Sequence, residues 1–242
     1  MKIKILHLFP DLMNLYGEYA NVTLLTKYMN EEGLETEVVK SNDVLPFDGF
    51  SVVYIGCGTE RASLRALELL SPIRDEVADY VSKGGFLLLT GNAYEIFGHE
   101  IIDMGKRNTK GLGIFDYTVF RASGKRYLGD RLYTDVAGGQ NIIGFMNKCA
   151  YNDITENYLF NTHGQSGNGE NTEGEGFISG NTVASSLLGP LFVRNPYLCR
   201  WYLDRLYGSI GSEKTAEADM SLQTKAFDAA YKELCELKKK QK

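Results

Sequence analysis

The run Gly84-Gly85-Phe86-Leu87-Leu88-Leu89-Thr90-Gly91-Asn92-Ala93-Tyr94-Glu95 reads as a buried strand that bends sharply into a helix. Enzymes that cleave esters and amides mount a nucleophile on such a bend, where the side chain stands clear of the sheet. Position 91 is glycine and supplies no group to react. Thr90 and Asn92 flank it, but neither attacks an amide without a base, and Asn92 is expected to support left-handed backbone at the turn. The cysteine best placed to stand in is Cys57, in Gly56-Cys57-Gly58. A loop following a strand lies near the cleft at the carboxyl edge of a parallel sheet, and a helix N-terminus beside it would lower the thiol pKa. No histidine neighbours Cys57 in sequence, so His99 or His163 would have to reach it through folding. Gly56 and Gly58 read either as an oxyanion-binding backbone or as a plain glycine turn. Arg126 reads as a bidentate carboxylate clamp or as a surface arginine.

Other chemistries find little footing. Gly124-Lys125-Arg126 lacks the hydroxyl residue and preceding glycine of a phosphate-binding loop, and no G-x-G-x-x-G follows the first strand. G-x-S-x-G is absent, and carboxylates are abundant without a pattern that joins two of them. The four cysteines (Cys57, Cys149, Cys199, Cys235) form no C-x-x-C pair, and His7, His99 and His163 have no metal-ligand spacing. No cofactor, structural metal or disulfide framework is expected, and reduced thiols point to a cytoplasmic setting. A net charge of −5 gives no basic field for nucleic acid. Lys238-Lys239-Lys240 reads as a solvated helix end or as a membrane-surface contact. No apolar run suggests a membrane span. The opening Met1 to Phe9 is too short for a signal peptide and fits a first strand better.

The elements that must position these residues follow from periodicity. Strands are predicted at Ile3–Phe9, Thr36–Lys40, Phe50–Ile55 and Phe86–Thr90. Helices are predicted at Ala20–Met29, stopped by Gly33, at Ala62–Leu70, and from Ser71 as cap to Lys83 with Pro72 in the first turn. Apolar strands alternating with amphipathic helices imply a parallel sheet covered on both faces. After Gly98, Tyr117–Val136 and Asn141–Phe145 read as antiparallel strands. The polar, glycine-rich stretch from Gly164 to Gly176 reads as a surface hairpin loop, or as a loop bordering the cleft or a partner. Val183–Leu187 is a last strand and Pro196–Tyr207 an aromatic-rich helix. Leu222, Ala226, Ala230, Leu234 and Leu237 recur at helical spacing, which predicts a docked C-terminal helix within residues 213–242. A chain of 242 residues suits a single domain over 1–242.

In order and spacing these motifs resemble the class I glutamine amidotransferases of the cobyric-acid-synthase type. The resemblance is carried by Met13-Asn14-Leu15-Tyr16-Gly17 with Asn21, by Gly56-Cys57-Gly58-Thr59-Glu60-Arg61, by Gly111-Leu112-Gly113-Ile114-Phe115-Asp116-Tyr117 and by Arg126-Tyr127-Leu128-Gly129-Asp130. It is strongest toward the glutaminase subunits that pair with a MurT-like Mur ligase to amidate the cell-wall precursor lipid II. It implies a three-layer, flavodoxin-like α/β fold, mostly parallel with antiparallel additions and a C-terminal helix. It also implies a heterodimer with the ligase, glutamine or a similar small amino acid as ligand, and a glutamine-binding role for Arg126.

Two departures bear on activity. The family elbow Cys-Gly-Gly-Tyr-Gln, aligned on Tyr94 and Gly98, puts its cysteine on Gly91. The family tripeptide His-Gly-Pro is Leu188-Gly189-Pro190 here, so the histidine falls on Leu188. Glycine and leucine can neither attack an amide nor carry its proton. A third departure is Cys57, where the family loop has glycine. The expectation is a glutaminase-deficient subunit whose vestigial positions are Gly91 and Leu188. Two alternatives stay open: an active amidotransferase using a relocated nucleophile such as Cys57, or a non-catalytic, ligand-binding flavodoxin-like module.

Overall fold

The computed structural model describes residues 2–103, 108–122, 124–170 and 172–240. In chain order these hold β1 (Ile3–Leu8), α1 (Ala20–Glu31), β2 (Thr36–Ser41), β3 (Val52–Ile55), α2 (Glu60–Leu70), α3 (Arg74–Ser82) and β4 (Phe86–Thr90). β5 (Glu100–Asp103), β6 (Thr109–Lys110), β7 (Thr118–Arg121), β8 (Tyr127–Asp135), β9 (Asn141–Lys148) and β10 (Ala150–Asn152) follow. Then come β11 (Phe160–Asn161), β12 (Gly174–Glu175), β13 (Phe177–Ser179), β14 (Thr182–Ser185), α4 (Leu191–Arg194), α5 (Pro196–Ile210) and α6 (Ser221–Lys240).

The central sheet runs β13-β14-β4-β3-β1-β2, parallel throughout except for β13 at its edge. Its strands are apolar on both faces because each face is covered. Ile3 and Ile5, Val52 and Tyr54, Phe86 and Leu88 point to one layer, where Val22, Leu25 and Leu198 of α1 and α5 meet them. Leu6 and Leu8, Val53 and Ile55, Leu87 and Leu89 point to the other, against Ala66, Leu70 and Val77 of α2 and α3. That strict alternation is the period-two geometry of a strand buried on both sides. Two four-stranded sheets, β10-β7-β5-β6 and β12-β11-β8-β9, complete the mixed α/β fold.

Five local expectations need correction. The bend after β4 leads into a 3₁₀ turn, Ala93–Phe97, and then into β5, with no α-helix. Gly91 takes the left-handed conformation (φ +64), while Asn92 does not (φ −91). Ser71 caps nothing: its hydroxyl donates back to the Leu67 carbonyl (2.7 Å), and α2 runs through a short 3₁₀ turn into α3. The stretch around Gly164–Gly176 is partly core. Asn168 and Glu175 are fully buried, and Gly174–Glu175 pairs with β11; Asn171 lies outside the described residues. Gly174 and Gly167 serve close packing: a Cβ on Gly174 would sit inside the Tyr158 ring, and one on Gly167 would fall 2.4 Å from the Gly174 carbonyl oxygen. In α6 the predicted stripe is not the docking face, as Leu222 and Leu237 are exposed. Phe227 is the buried residue, set edge-on against Tyr197 of α5.

Candidate functional site

The site forms where the carboxyl ends of β3, β4 and β14 meet the tip of β9. After β3, Gly56 and Gly58 lie against the segment that follows β1: a Cβ on Gly56 would fall 2.6 Å from the Met13 carbonyl oxygen, and one on Gly58 2.5 Å from the Met13 sulfur. Their lack of side chains thus serves packing within the chain. Thr59 then caps α2, its hydroxyl accepting the Ala62 N–H (3.1 Å). The sequence pattern gave no notice of that cap. Leu188 follows β14 and is tied by its backbone to Phe145 of β9, its N–H donating to the Phe145 carbonyl (2.8 Å).

These loops bring together Gly91, Cys57 and Leu188, residues far apart in sequence. A Cβ built on Gly91 would meet Cys57 Cβ at 2.3 Å, Cys57 Sγ at 2.6 Å and a Leu188 methyl at 2.9 Å. The space of an elbow side chain is therefore filled by the thiol of the facing loop and by leucine. Cys57 is almost wholly buried, its Sγ 3.5 Å from the Gly58 carbonyl oxygen. Burial pushes its thiol up to about 12. This overturns the expectation of an acidified thiol, because loss of solvent outweighs any help from the start of α2. Asn92 also acts differently from expectation: its Oδ1 accepts the Gly58 N–H (2.9 Å), so one amide of the suspected oxyanion loop is already engaged.

Beneath the bend Glu18 is fully buried. Its carboxylate accepts hydrogen bonds from Thr90 Oγ1 (2.5 Å), the Gly189 N–H (2.9 Å), Tyr54 Oη and Asn21 Nδ2 (both 3.3 Å). Burial raises its pKa, and these donors oppose the rise by favouring the ionised form. Glu18 joins β3, β4 and the loop after β14 into one polar knot, and no motif announced it.

Above the bend opens a cavity of about 150 Å³. Cys57, Gly91 and Leu188 contribute one part of its lining, and Glu60, Arg126, Asn147 and Lys148 a second, polar part. Arg126 donates to Glu60 Oε1 and to Asn147 Oδ1, each at 2.8 Å. Burial opposes charge at Glu60, yet hydrogen bonds from Arg126, a backbone N–H and Cys149, with the Arg126 charge, together outweigh it and hold the carboxyl down at about 2. Cys149 leans on the same carboxylate (3.3 Å); burial and that contact push its thiol up to about 11. Deeper in, Glu95 and Arg121 form a buried ion pair (2.8 Å). Lys148, buried too, donates to the Gly167 carbonyl (2.6 Å); burial lowers its pKa to about 8 despite the fields of Glu175 and Glu95. The carboxylates Glu60 and Glu95 thus line one cavity, which sequence spacing alone did not predict.

Neither candidate base reaches the cavity. His99 Nε2 lies 2.9 Å from Asp116 Oδ1, and His163 Nε2 2.9 Å from Thr134 Oγ1; neither ring lines the opening. His7 is buried within β1, both ring nitrogens without a partner, and burial lowers its pKa to about 4.

A profile of the CobB/CobQ-like glutamine amidotransferase domain matches residues 4–196. The chain belongs to that family. Among curated relatives it is 26% identical over 209 residues to the GatD subunit of the glutamine-hydrolysing lipid II isoglutaminyl synthase of Staphylococcus aureus, covering 84% of each chain. It is 23% identical over 202 residues to GatD of Streptococcus pneumoniae, covering 81% of this chain and 77% of that one. Among solved structures, a glutamine amidotransferase shares 21% identity at a TM-score of 0.55, over 84% of this chain and 98% of the other. PurLQS of Thermotoga maritima gives the same TM-score at 14% identity, over 87% and 98%. Those likenesses show the fold of a class I glutamine amidotransferase. In this amidotransferase-family chain the cavity sits at the carboxyl ends of the parallel strands, where open α/β sheets take their ligands.

Proposed function

We propose that this chain is a GatD-like glutamine amidotransferase subunit that has lost glutaminase chemistry. It serves as the non-hydrolytic partner of a MurT-like ligase acting on a cell-wall precursor such as lipid II. The observation that carries this reading is the composition of the wall at the bend. Gly91 holds the left-handed turn with no side chain, Leu188 beside it has no proton to exchange, and no imidazole lines the cavity. Amide cleavage by this route needs a thiolate and a base in bonding reach, and the loss of one member of such a unit costs about six orders of magnitude in turnover. The polar lining would suit a small zwitterion, Arg126 taking a carboxylate and Glu60 an ammonium in exchange for the 2.8 Å pair that they make with each other.

One observation favours a second reading, an active enzyme with a relocated nucleophile. Cys57 Sγ lies 2.6 Å from where a Cβ at position 91 would stand, so a sulfur does border the place where an elbow thiol would act. That thiol is held protonated by burial and has no base beside it, which is why the first reading is preferred.

Co-expression with the MurT-like ligase separates the two. The first reading expects a stable complex that releases no ammonia from glutamine above the buffer rate. Ammonia release abolished by Cys57→Ser would establish the second, and failure of the two chains to co-purify would remove the proposed partner.

A further inference from the structure

The thiol at 57 and the missing side chain at 91 are two halves of one change. We propose that Cys57 is the residue that keeps the bend after β4 closed: its side chain occupies the volume of the elbow side chain, so that position 91 can regain a side chain only if Cys57 gives way. This rests on the reading of Gly91 as the vacated nucleophile position and goes beyond it. Loss of a nucleophile alone would leave an open seat that a single reversion could refill. Here the seat is taken.

The geometry is specific. Real Cβ atoms do not approach other heavy atoms within 3.0 Å, and one at position 91 would meet Cys57 Cβ at 2.3 Å and Sγ at 2.6 Å. The nearer of the two cannot swing away. Cys57 Cβ is fixed by the backbone, and that backbone is held by the Leu15 N–H on the Cys57 carbonyl (2.8 Å) and by Asn92 Oδ1 on the Gly58 N–H (2.9 Å). The loop cannot retreat on its far side either, because Gly56 and Gly58 already touch Met13 closely enough to exclude a Cβ. Against the family pattern, glycine in the loop and cysteine at the elbow, the two residue types have changed places across the cleft. Leu188, whose methyl would stand 2.9 Å from that Cβ, completes an apolar plug where a thiolate and an imidazolium would otherwise lie. An interior packed to crystal density accepts such exchanges only when volume is conserved.

A double-mutant cycle on Gly91→Ala and Cys57→Gly tests this through stability, with no reference to turnover. In the natural background Gly91→Ala is expected to lower Tm strongly or to prevent folding, since the added methyl meets both Cys57 and a left-handed backbone. In the Cys57→Gly background the backbone cost persists and the collision is gone, so the same substitution should lower Tm by less than half as much. Equal shifts in the two backgrounds, or loss of folding in both, would overturn the coupling. In parallel, Gly91→Cys/Cys57→Gly should display a thiol at the bend that iodoacetamide labels at least tenfold faster than it labels Cys57 of the natural chain. Equal labelling rates would likewise overturn the proposal. Neither outcome bears on ammonia release, so failure of the coupling is distinguishable from failure of the functional reading.

Discussion

The two walls of the cavity are built from different materials. Around Gly91 the contacts are apolar and tight: a buried, protonated thiol, a leucine and a backbone bend with no functional group. Among the polar lining residues and just behind them the contacts are short and charged: Arg126 on Glu60 (2.8 Å), Arg121 on Glu95 (2.8 Å), and Lys148 on the Gly167 carbonyl (2.6 Å). On the proposed reading, one wall has been filled and the other kept. Charge that only binds can outlast chemistry, since it also organises the fold around it, whereas a nucleophile with nothing to do is replaceable by packing.

Removing the deepest charge should have the largest effect. Arg121→Met leaves Glu95 unpaired in the interior and also strips a donor from Ser63, so unfolding by denaturant should show a loss of about 3–5 kcal/mol. A loss under 1 kcal/mol would mean that the polar wall is no scaffold.

Lys148 sharpens the same point through pH. Its pKa is depressed when folded, so between about 8 and its unfolded value near 10.4 the unfolded chain holds more protons, and stability rises with pH across that window. Tyrosines and thiols with raised values pull the other way above pH 8.5, so the test is a difference. Natural chain minus Lys148→Met should gain about 2–3 kcal/mol from pH 8 to 10.5. A flat difference curve would show that the ammonium is solvated.

On the apolar wall, a thiol at about 12 is ionised roughly a thousandfold less at pH 8 than an ordinary cysteine. Alkylation of Cys57 in the folded chain should trail that of the unfolded chain by about that factor, read by peptide mass spectrometry. Comparable rates would restore Cys57 as a reactive group. The smallest effect belongs to the rim. Arg126 and Glu60 are both well exposed to solvent, so Arg126→Ala should change stability by no more than about 1 kcal/mol in a denaturant melt.

Much of the scaffold was legible in the sequence because short, nearly continuous apolar runs at Ile3–Leu8, Val52–Ile55 and Phe86–Thr90, set between amphipathic helices, suit strands covered on both faces. The bend was legible too, since Gly91 ends the apolar run, and the structure holds it in a left-handed turn right after β4. What filled the bend was not: Cys57 and Gly91 are 34 positions apart, and only the fold shows that one excludes the other. Glu18 and Lys148 were hidden for the same reason, as single charges whose meaning lies in burial. The glycine-rich stretch misled because its polarity is turned inward, Asn168 and Glu175 meeting backbone and hydroxyl groups in place of water. In α6 the leucine spacing was real but faced away, and Phe227 was overlooked because one aromatic contact outweighs a stripe of alanines.

The central claim is that no group at the bend can attack an amide, and an electrophilic glutamine analogue tests it most directly. Incubated with the chain, alone and co-expressed with a MurT-like ligase, and read by intact mass, a glutamine-derived diazoketone should add nothing, while a cysteine-dependent glutaminase treated alongside is labelled once. A single adduct mapped to Cys57 would contradict the account.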